Sequence, residues 1–248
     1  MTKENSQSPS VWLAELEAQS RQKQQDFMAK IAGKLNRERI HVKPEHPYRG
    51  APAYWNEVNW SQQERIQQFT NNFQAAGGYV ERLAEMDQAK EFIAAKAIEL
   101  KARRILCQNE PALNQDDWWS TKLQDTEWII WNSTKDRDWR EQAAEADIGI
   151  VMADYAAAYT GSLAVRSSIH KGRSVSLLPA VLIAILPADR LYTRLGEILT
   201  QFDETGREQL PAGIHFISGP SRSADIENDL TIGVHGPGIV YTLIVDQM

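Results

Sequence analysis

The run Ile148-Gly149-Ile150-Val151-Met152, echoed further along by Val181-Leu182-Ile183-Ala184-Ile185-Leu186, decides the fold. Neither run alternates apolar with polar residues. A strand with one wet face would alternate, so an unbroken apolar run of strand length belongs to a sheet covered on both faces, as parallel α/β sheets are. Trp128-Ile129-Ile130-Trp131 has the same character. Upstream, Ser61 and Glu64 stand at capping-box spacing, Ile66 and Phe69 supply an apolar face and Gly77-Gly78 ends the helix they define. A strand follows over residues 79–83, a helix opens at Asp87 and runs through Phe92, Ile93, Ala97 and Leu100, and residues 104–108 form the next strand. Downstream the pattern predicts a short helix over 138–146, a strand over 163–165, a helix over 191–202 and a last strand over 239–245. Helices and strands in short alternation predict one open, mostly parallel α/β sheet with helices on both faces.

Ahead of this unit, Trp12, Leu13, Leu16, Phe27, Met28, Ile31 and Leu35 fall at mostly helical spacing among Lys, Gln and Arg, which predicts one amphipathic helix or two over residues 11–35. Residues 37–59 carry Pro44, Pro47 and Pro52 and few apolar side chains other than aromatics, so they read as an extended connector. The expected organisation is an N-terminal helical arm with its connector over 1–59 and an α/β domain over 60–248.

Composition narrows the function. A chain of 248 residues has material for one sizeable core, or at most two small ones, and its 33 acidic against 27 basic residues give a net charge of −6. Lys and Arg are scattered, which argues against a nucleic-acid partner. The lone Cys107, in the apolar run Arg104-Ile105-Leu106-Cys107, permits no internal disulfide, no Cys-rich zinc site and no iron–sulfur cluster. It reads as a small buried hydrophobe. The polar first ten residues lead into no export signal, and the apolar stretch over 175–186 is broken by Pro179 and shorter than the ~20 residues of a spanning helix, so a soluble, cytoplasmic protein is expected. His41, His46, His170, His215 and His235 show no metal-ligand spacing, and Gly233, Gly236 and Gly238 do not make a dinucleotide fingerprint. Trp118, Trp119, Trp128, Trp131 and Trp139 are dense enough for a core edge or a subunit contact.

The polar candidates lie near the end. Residues 213–218 read as a strand that Gly219-Pro220 breaks, after which Ser221 or Ser223 would cap a helical turn whose free N–H groups, beside Arg222, suit a carboxylate or phosphate. The bland alternative pairs Arg222 with Asp225 or Glu227. His235, between glycines, is a candidate general acid or base, or a turn histidine bonded to backbone. Thr160-Gly161-Ser162 brings hydroxyls and a hinge to a second turn that could line an oxyanion nest. Ser221, Asp225 and His235 make a conceivable triad, but no G-x-S-x-G elbow marks a nucleophile. Both turns follow expected strands, so both are candidates for the crevice outside the carboxyl ends of the sheet.

The same residues carry a family resemblance. Residues 218–227 with Gly233-Val234-His235-Gly236-Pro237, preceded in order by Ala146-Asp147-Ile148-Gly149-Ile150, Thr160-Gly161-Ser162-Leu163, the run over 173–179 and that over 185–190, resemble the LUD-domain family of lactate utilisation proteins C. The resemblance is close over residues 146–245 and looser before. It implies a Rossmann-like fold similar to ribose-5-phosphate isomerase, CoA transferases and formyltetrahydrofolate cyclo-ligase. It also implies a role in oxidising L-lactate to pyruvate beside partner proteins that hold iron–sulfur clusters, this chain holding none and binding an anionic ligand through Thr160, Gly161, Ser162, Ser221, Arg222, Ser223 and Asp225. The alternative it carries is a CoA transferase-like or cyclo-ligase-like enzyme acting on a phosphate-bearing ligand. The chain departs from the family at Tyr159, where the residue before the threonine is usually acidic, so a covalent carboxylate role is not carried onto that position.

Overall fold

In the computed structural model, which describes residues 9–42, 57–114, 118–135, 137–224 and 230–248, the unbroken apolar runs are the strands of one sheet. Strands β1 (Tyr79–Glu85), β2 (Arg104–Cys107), β3 (Glu127–Ile130), β4 (Ile148–Met152), β7 (Val181–Pro187) and β12 (Ile239–Gln247) form a six-stranded sheet in the order β1-β12-β7-β4-β2-β3. Every neighbouring pair in it is parallel. All seven residues of β7 are buried, and the pleat sends them alternately to two cores. Val181, Ile183 and Ile185 join Ile148, Ile150, Leu243 and Val245 on one face, while Leu182, Ala184 and Leu186 join Val151, Val240 and Ile244 on the other.

Helices cover both faces. Helix α2 (Gln62–Ala75) starts at the predicted capping box, Ser61 Oγ accepting from Glu64 N–H and Glu64 Oε2 accepting from Ser61 N–H at 2.8 Å. Its Ile66, Phe69 and Phe73 enter the layer of Leu182, Ala184 and Leu186, with Ala143 of α6 (Trp139–Ala144) and Val175 of α7 (Ser174–Leu177). Helix α3 (Met86–Glu99) supplies Ala89, Ile93 and Ala97 to the opposite layer, where Leu113 of α4 (Pro111–Asn114) and Trp119 of α5 (Trp118–Lys122) also pack. Four of the tryptophans lie at the core edge: Trp119 stacks on Trp128 at 3.9 Å between centroids, and Trp131 packs on Trp139 at 5.5 Å.

The expectation of a single sheet is corrected. Strands β5 (Tyr155–Ala157), β6 (Ser162–Arg166), β8 (Leu191–Tyr192) and β9 (Ile214–Ile217) form a second sheet in the order β8-β5-β6-β9, and β10 (Arg222–Ala224) pairs with β11 (Leu230–Ile232) in a two-stranded ribbon. Local strand signals carry no information about which sheet a strand joins, since that is settled by long-range pairing. The second sheet buries Ala156, Leu163 and Val165 in the main core and covers its other face with Ile198 and Phe202 of α8 (Leu195–Glu204). That pairing also shortens the predicted helix over 191–202, because Leu191 and Tyr192 pair with Ala156 and Ala157 as strand residues.

The chain divides into two compact units, Met1–Asn56 and Glu57–Met248. In the first, a single helix, α1 (Pro9–Lys34), covers the stretch read as one helix or two, and its Trp12, Leu13, Leu16 and Phe27 are exposed. Among the described residues no helix is long and apolar enough to cross a membrane.

Candidate functional site

The two hydroxyl-bearing turns are neighbours. Strands β6 and β9 pair antiparallel with Leu163 opposite Ile217, so Ser162 and Ser218 meet one step beyond and share a hydrogen bond of 2.7 Å between hydroxyls. Both turns rest on the end of α2. Gly161 has φ +59°, and a Cβ there would stand 2.7 Å from the Phe73 amide nitrogen, so only glycine lets this turn seat against the helix. Asn72 fastens it further, its side-chain amide donating to the carbonyls of Ala158 and Tyr159 at 2.9 and 3.0 Å. Across the helix end, Arg222 lies over Gly77, where a Cβ would come within 2.6 Å of Nη2. Arg222 is exposed and pairs with no carboxylate among the described residues.

Two sequence expectations about this group are corrected. Ser221 and Ser223 cap no helix: Arg222 to Ala224 are strand β10, Ser223 pairs with Thr231, and the Ser221 N–H donates to the Pro237 carbonyl at 2.9 Å. The capping signal of a short hydroxyl residue is local, and the ribbon partner lies in β11, beyond its reach. The group is also absent from the carboxyl edge of the parallel sheet. Thr160 and Ser221 do follow strands, but those of the smaller sheet, and the residues they touch precede main-sheet strands. Gly77 precedes β1, Pro237 precedes β12, and Ala180, which binds the Gly238 N–H at 2.9 Å, precedes β7. Since the sheet is parallel, all of these lie at its amino edge. Asp225 and Glu227 lie outside the described residues. His235 is exposed, whereas His215, which the sequence did not single out, shares a 3.0 Å hydrogen bond between its Nε2 and Ser167 Oγ. Burial, and after it the charge of Arg173, holds the His215 imidazole below its ordinary pKa. Tyr159 stacks on Trp60 at 6.1 Å, so an aromatic pair occupies the position where the resemblance leads one to expect a carboxylate.

The carboxyl edge holds a different cluster. Asp154, two residues beyond β4, is 2% exposed, and its Oδ2 accepts the Arg166 backbone N–H at 2.8 Å. Its Oδ1 accepts from Arg166 Nε and Nη2 at 3.0 and 2.9 Å and from Lys171 Nζ at 3.1 Å. Lys171 turns its charge also to Glu110, 2.5 Å away, and Arg190 donates to the Ala153 carbonyl at 3.4 Å. Sequence reasoning missed these residues because they are scattered along the chain. A signal was present, though: Gln108-Asn109-Glu110, Asp154 and Asp189-Arg190 each come directly after an apolar strand run.

Cys107 sits in the sheet between these edges, wholly buried, and burial pushes its thiol pKa well above the ordinary value. Native protein should therefore leave Cys107 unmodified by a thiol-specific disulfide reagent until denaturant opens the fold, because the reactive species is the thiolate. Stoichiometric labelling of folded protein would contradict this burial.

A parallel α/β sheet with polar groups gathered at both edges, flanked by a small antiparallel-rich sheet, defines a Rossmann-like architecture and not a particular chemistry. The chain belongs to the LUD domain family, whose model matches residues 66–245. It is 38% identical to lactate utilization protein C of Halalkalibacterium halodurans over 66% of this chain and 71% of that one. With lactate utilization protein C of an Exiguobacterium species it shares 33% identity over 90% of this chain and 96% of the relative. A crystal structure of a DUF162 family protein from Deinococcus radiodurans has a similar fold, with a TM-score of 0.53 and 20% identity, covering 75% of this chain and 99% of that one.

Proposed function

We propose that this chain serves lactate utilisation in the cytoplasm as a component without a cluster of its own, working with iron–sulfur partner proteins that oxidise L-lactate to pyruvate. The observation that carries this reading is its similarity, over nine tenths of its length, to a protein named lactate utilization protein C. Oxidation of L-lactate to pyruvate releases two electrons and two protons, which need an acceptor. A chain with one cysteine has no thiolate set for a cluster, so the electrons pass to groups on other chains. Within this reading the amino-edge group takes an anionic ligand: Ser162, Thr160, Ser221 and Ser223 offer hydroxyls, Gly161 seats the Thr160 turn on α2, and Arg222 offers a guanidinium with no carboxylate partner among the described residues.

A strain lacking this chain should grow poorly on L-lactate and normally on glucose, and the tagged protein should co-purify iron–sulfur proteins from cells grown on L-lactate. Arg222→Ala should slow growth on L-lactate at an unchanged protein level. Normal growth of the deletion strain on L-lactate would remove the pathway assignment. Normal growth of the Arg222→Ala strain would remove only the amino-edge ligand site.

A further inference from the structure

The N-terminal arm carries a stripe that its own unit leaves open. Within α1, Leu13, Leu16, Ser20, Gln24, Phe27 and Ile31 follow one another at steps of three, four, four, three and four residues. Eleven residues in three turns is close to the natural pitch of a helix, so these side chains stay on one face along it. Leu13, Leu16 and Phe27 are 55, 50 and 63% exposed, and α1 is the only secondary element among the described residues of Met1–Asn56. Burial of an apolar face supplies most of the stability of a helix, so an open stripe of this kind implies a covering partner.

Two features of the stripe say what covers it. Its pattern reads alike in both directions: apolar ends, Leu13 with Leu16 and Phe27 with Ile31, enclose a polar centre of Ser20 and Gln24. A two-fold rotation about a line near Gln22 sets Leu13 against Ile31 of a second copy, Ser20 against Gln24, and Leu16 between Phe27 and Met28, so apolar groups meet apolar groups. The polar centre fixes the register, because a slip of one turn would bury Ser20 or Gln24 against an apolar side chain. Charge then sets the direction. Over residues 11–20 the only charges are Glu15 and Glu17, and over 27–37 they are Lys30, Lys34 and Arg37. Two copies running the same way would place basic segment beside basic segment, whereas in opposite directions the basic segment lies over the acidic one. A lipid surface fits worse. A helix lying on it needs an unbroken apolar face and a basic polar face, and Ser20 and Gln24 interrupt the first while Glu15 and Glu17 oppose the second.

We infer that α1 is a homodimerisation element, which pairs antiparallel with the α1 of a second copy of this chain. The inference rests on this helix alone and is independent of the lactate reading and of the groups at both sheet edges.

Sedimentation equilibrium of the full chain tests it, at concentrations up to about 100 µM because one helix pair sits at the small end of stable interfaces. The chain should be a dimer at the upper end of that range. Leu16→Asp and Ile31→Asp should each weaken self-association about tenfold or more, the scale of losing one buried leucine, and Leu16→Gln serves where the aspartate variants do not fold. Ile98→Asp, which alters an apolar side chain 66% exposed on α3, should leave self-association unchanged. Disulfide trapping reads the direction, since the buried Cys107 stays out of the chemistry. Mild oxidation of mixed Leu13→Cys and Ile31→Cys chains should give the mixed disulfide. Leu13→Cys alone should give none, because antiparallel pairing keeps its two copies about 27 Å apart along the helices. A monomer at the highest concentration overturns the inference, and means that α1 is covered by its own chain or by a different protein. It is equally overturned by a dimer that the α1 variants leave intact, by one that Ile98→Asp alone abolishes, or by a Leu13→Cys self-disulfide in place of the mixed one.

Discussion

Asp154→Ala should lower the unfolding free energy by about 3 kcal/mol, the cost of breaking a buried ion pair from one side. The carboxylate is 2% exposed and accepts four hydrogen bonds, three of them from cations, so its loss strands the donors that it gathers. The two cations suffer unequally. Arg166 is 42% exposed and can turn its guanidinium to water, while Lys171 is 15% exposed and keeps Glu110, which holds the expected cost near the low end of the range for buried pairs. Asp154→Asn keeps the shape and should cost less, about 2 kcal/mol, because one amide edge must then present N–H donors to the donors of Arg166. Urea denaturation of the three proteins measures this as a falling midpoint at constant slope. Equal midpoints for wild type and Asp154→Ala would mean that the network is solvated and without structural consequence.

That a residue of this consequence escaped the sequence reading has a physical cause. Helix caps, apolar runs and turn breakers act within a few residues, so the Ser61 capping box, the Gly77-Gly78 stop and the buried runs over 148–152 and 181–186 were legible and became α2, β1, β4 and β7. Partnership between distant segments leaves no such mark. Nothing near Tyr155 or Ser162 says that they start strands of a second sheet, and nothing near Ser221 says that its N–H is claimed by Pro237. The Thr160 turn was therefore found as a turn, while residues 222–224 were read as a capped turn and are a strand, and both groups were assigned to the wrong edge of the main sheet. Charged residues placed directly behind apolar strand runs were the better guide to the crevice, since in a parallel sheet the residue after each strand necessarily arrives at the carboxyl edge.

The last turn of α2 is where the amino-edge group should prove most fragile. Phe73→Ala should destabilise the α/β unit by about 3–5 kcal/mol, the range for truncating a buried aromatic ring. The ring is wholly buried, stacks on Phe69 at 5.4 Å between centroids, and stands where a Cβ on Gly78 would fall, 2.1 Å from its Cε1. Its own amide nitrogen is the floor on which Gly161 rests. A coupling follows from the same contact. Gly78→Ala alone should destabilise, because the new methyl collides with a ring that close packing holds in place, whereas in the Phe73→Ala background the methyl enters the vacated space and should cost little or even stabilise. The double variant should then be more stable than the sum of the single changes predicts, by an interaction energy of about 1 kcal/mol or more. Denaturation midpoints of the four proteins of this cycle decide it, and strictly additive values would mean that ring and glycine do not meet. If they do meet, loss of the ring loosens the seat shared by Gly161 and Arg222, so that any ligand bound at Arg222 should be weakened by a substitution that touches neither the ligand nor the arginine.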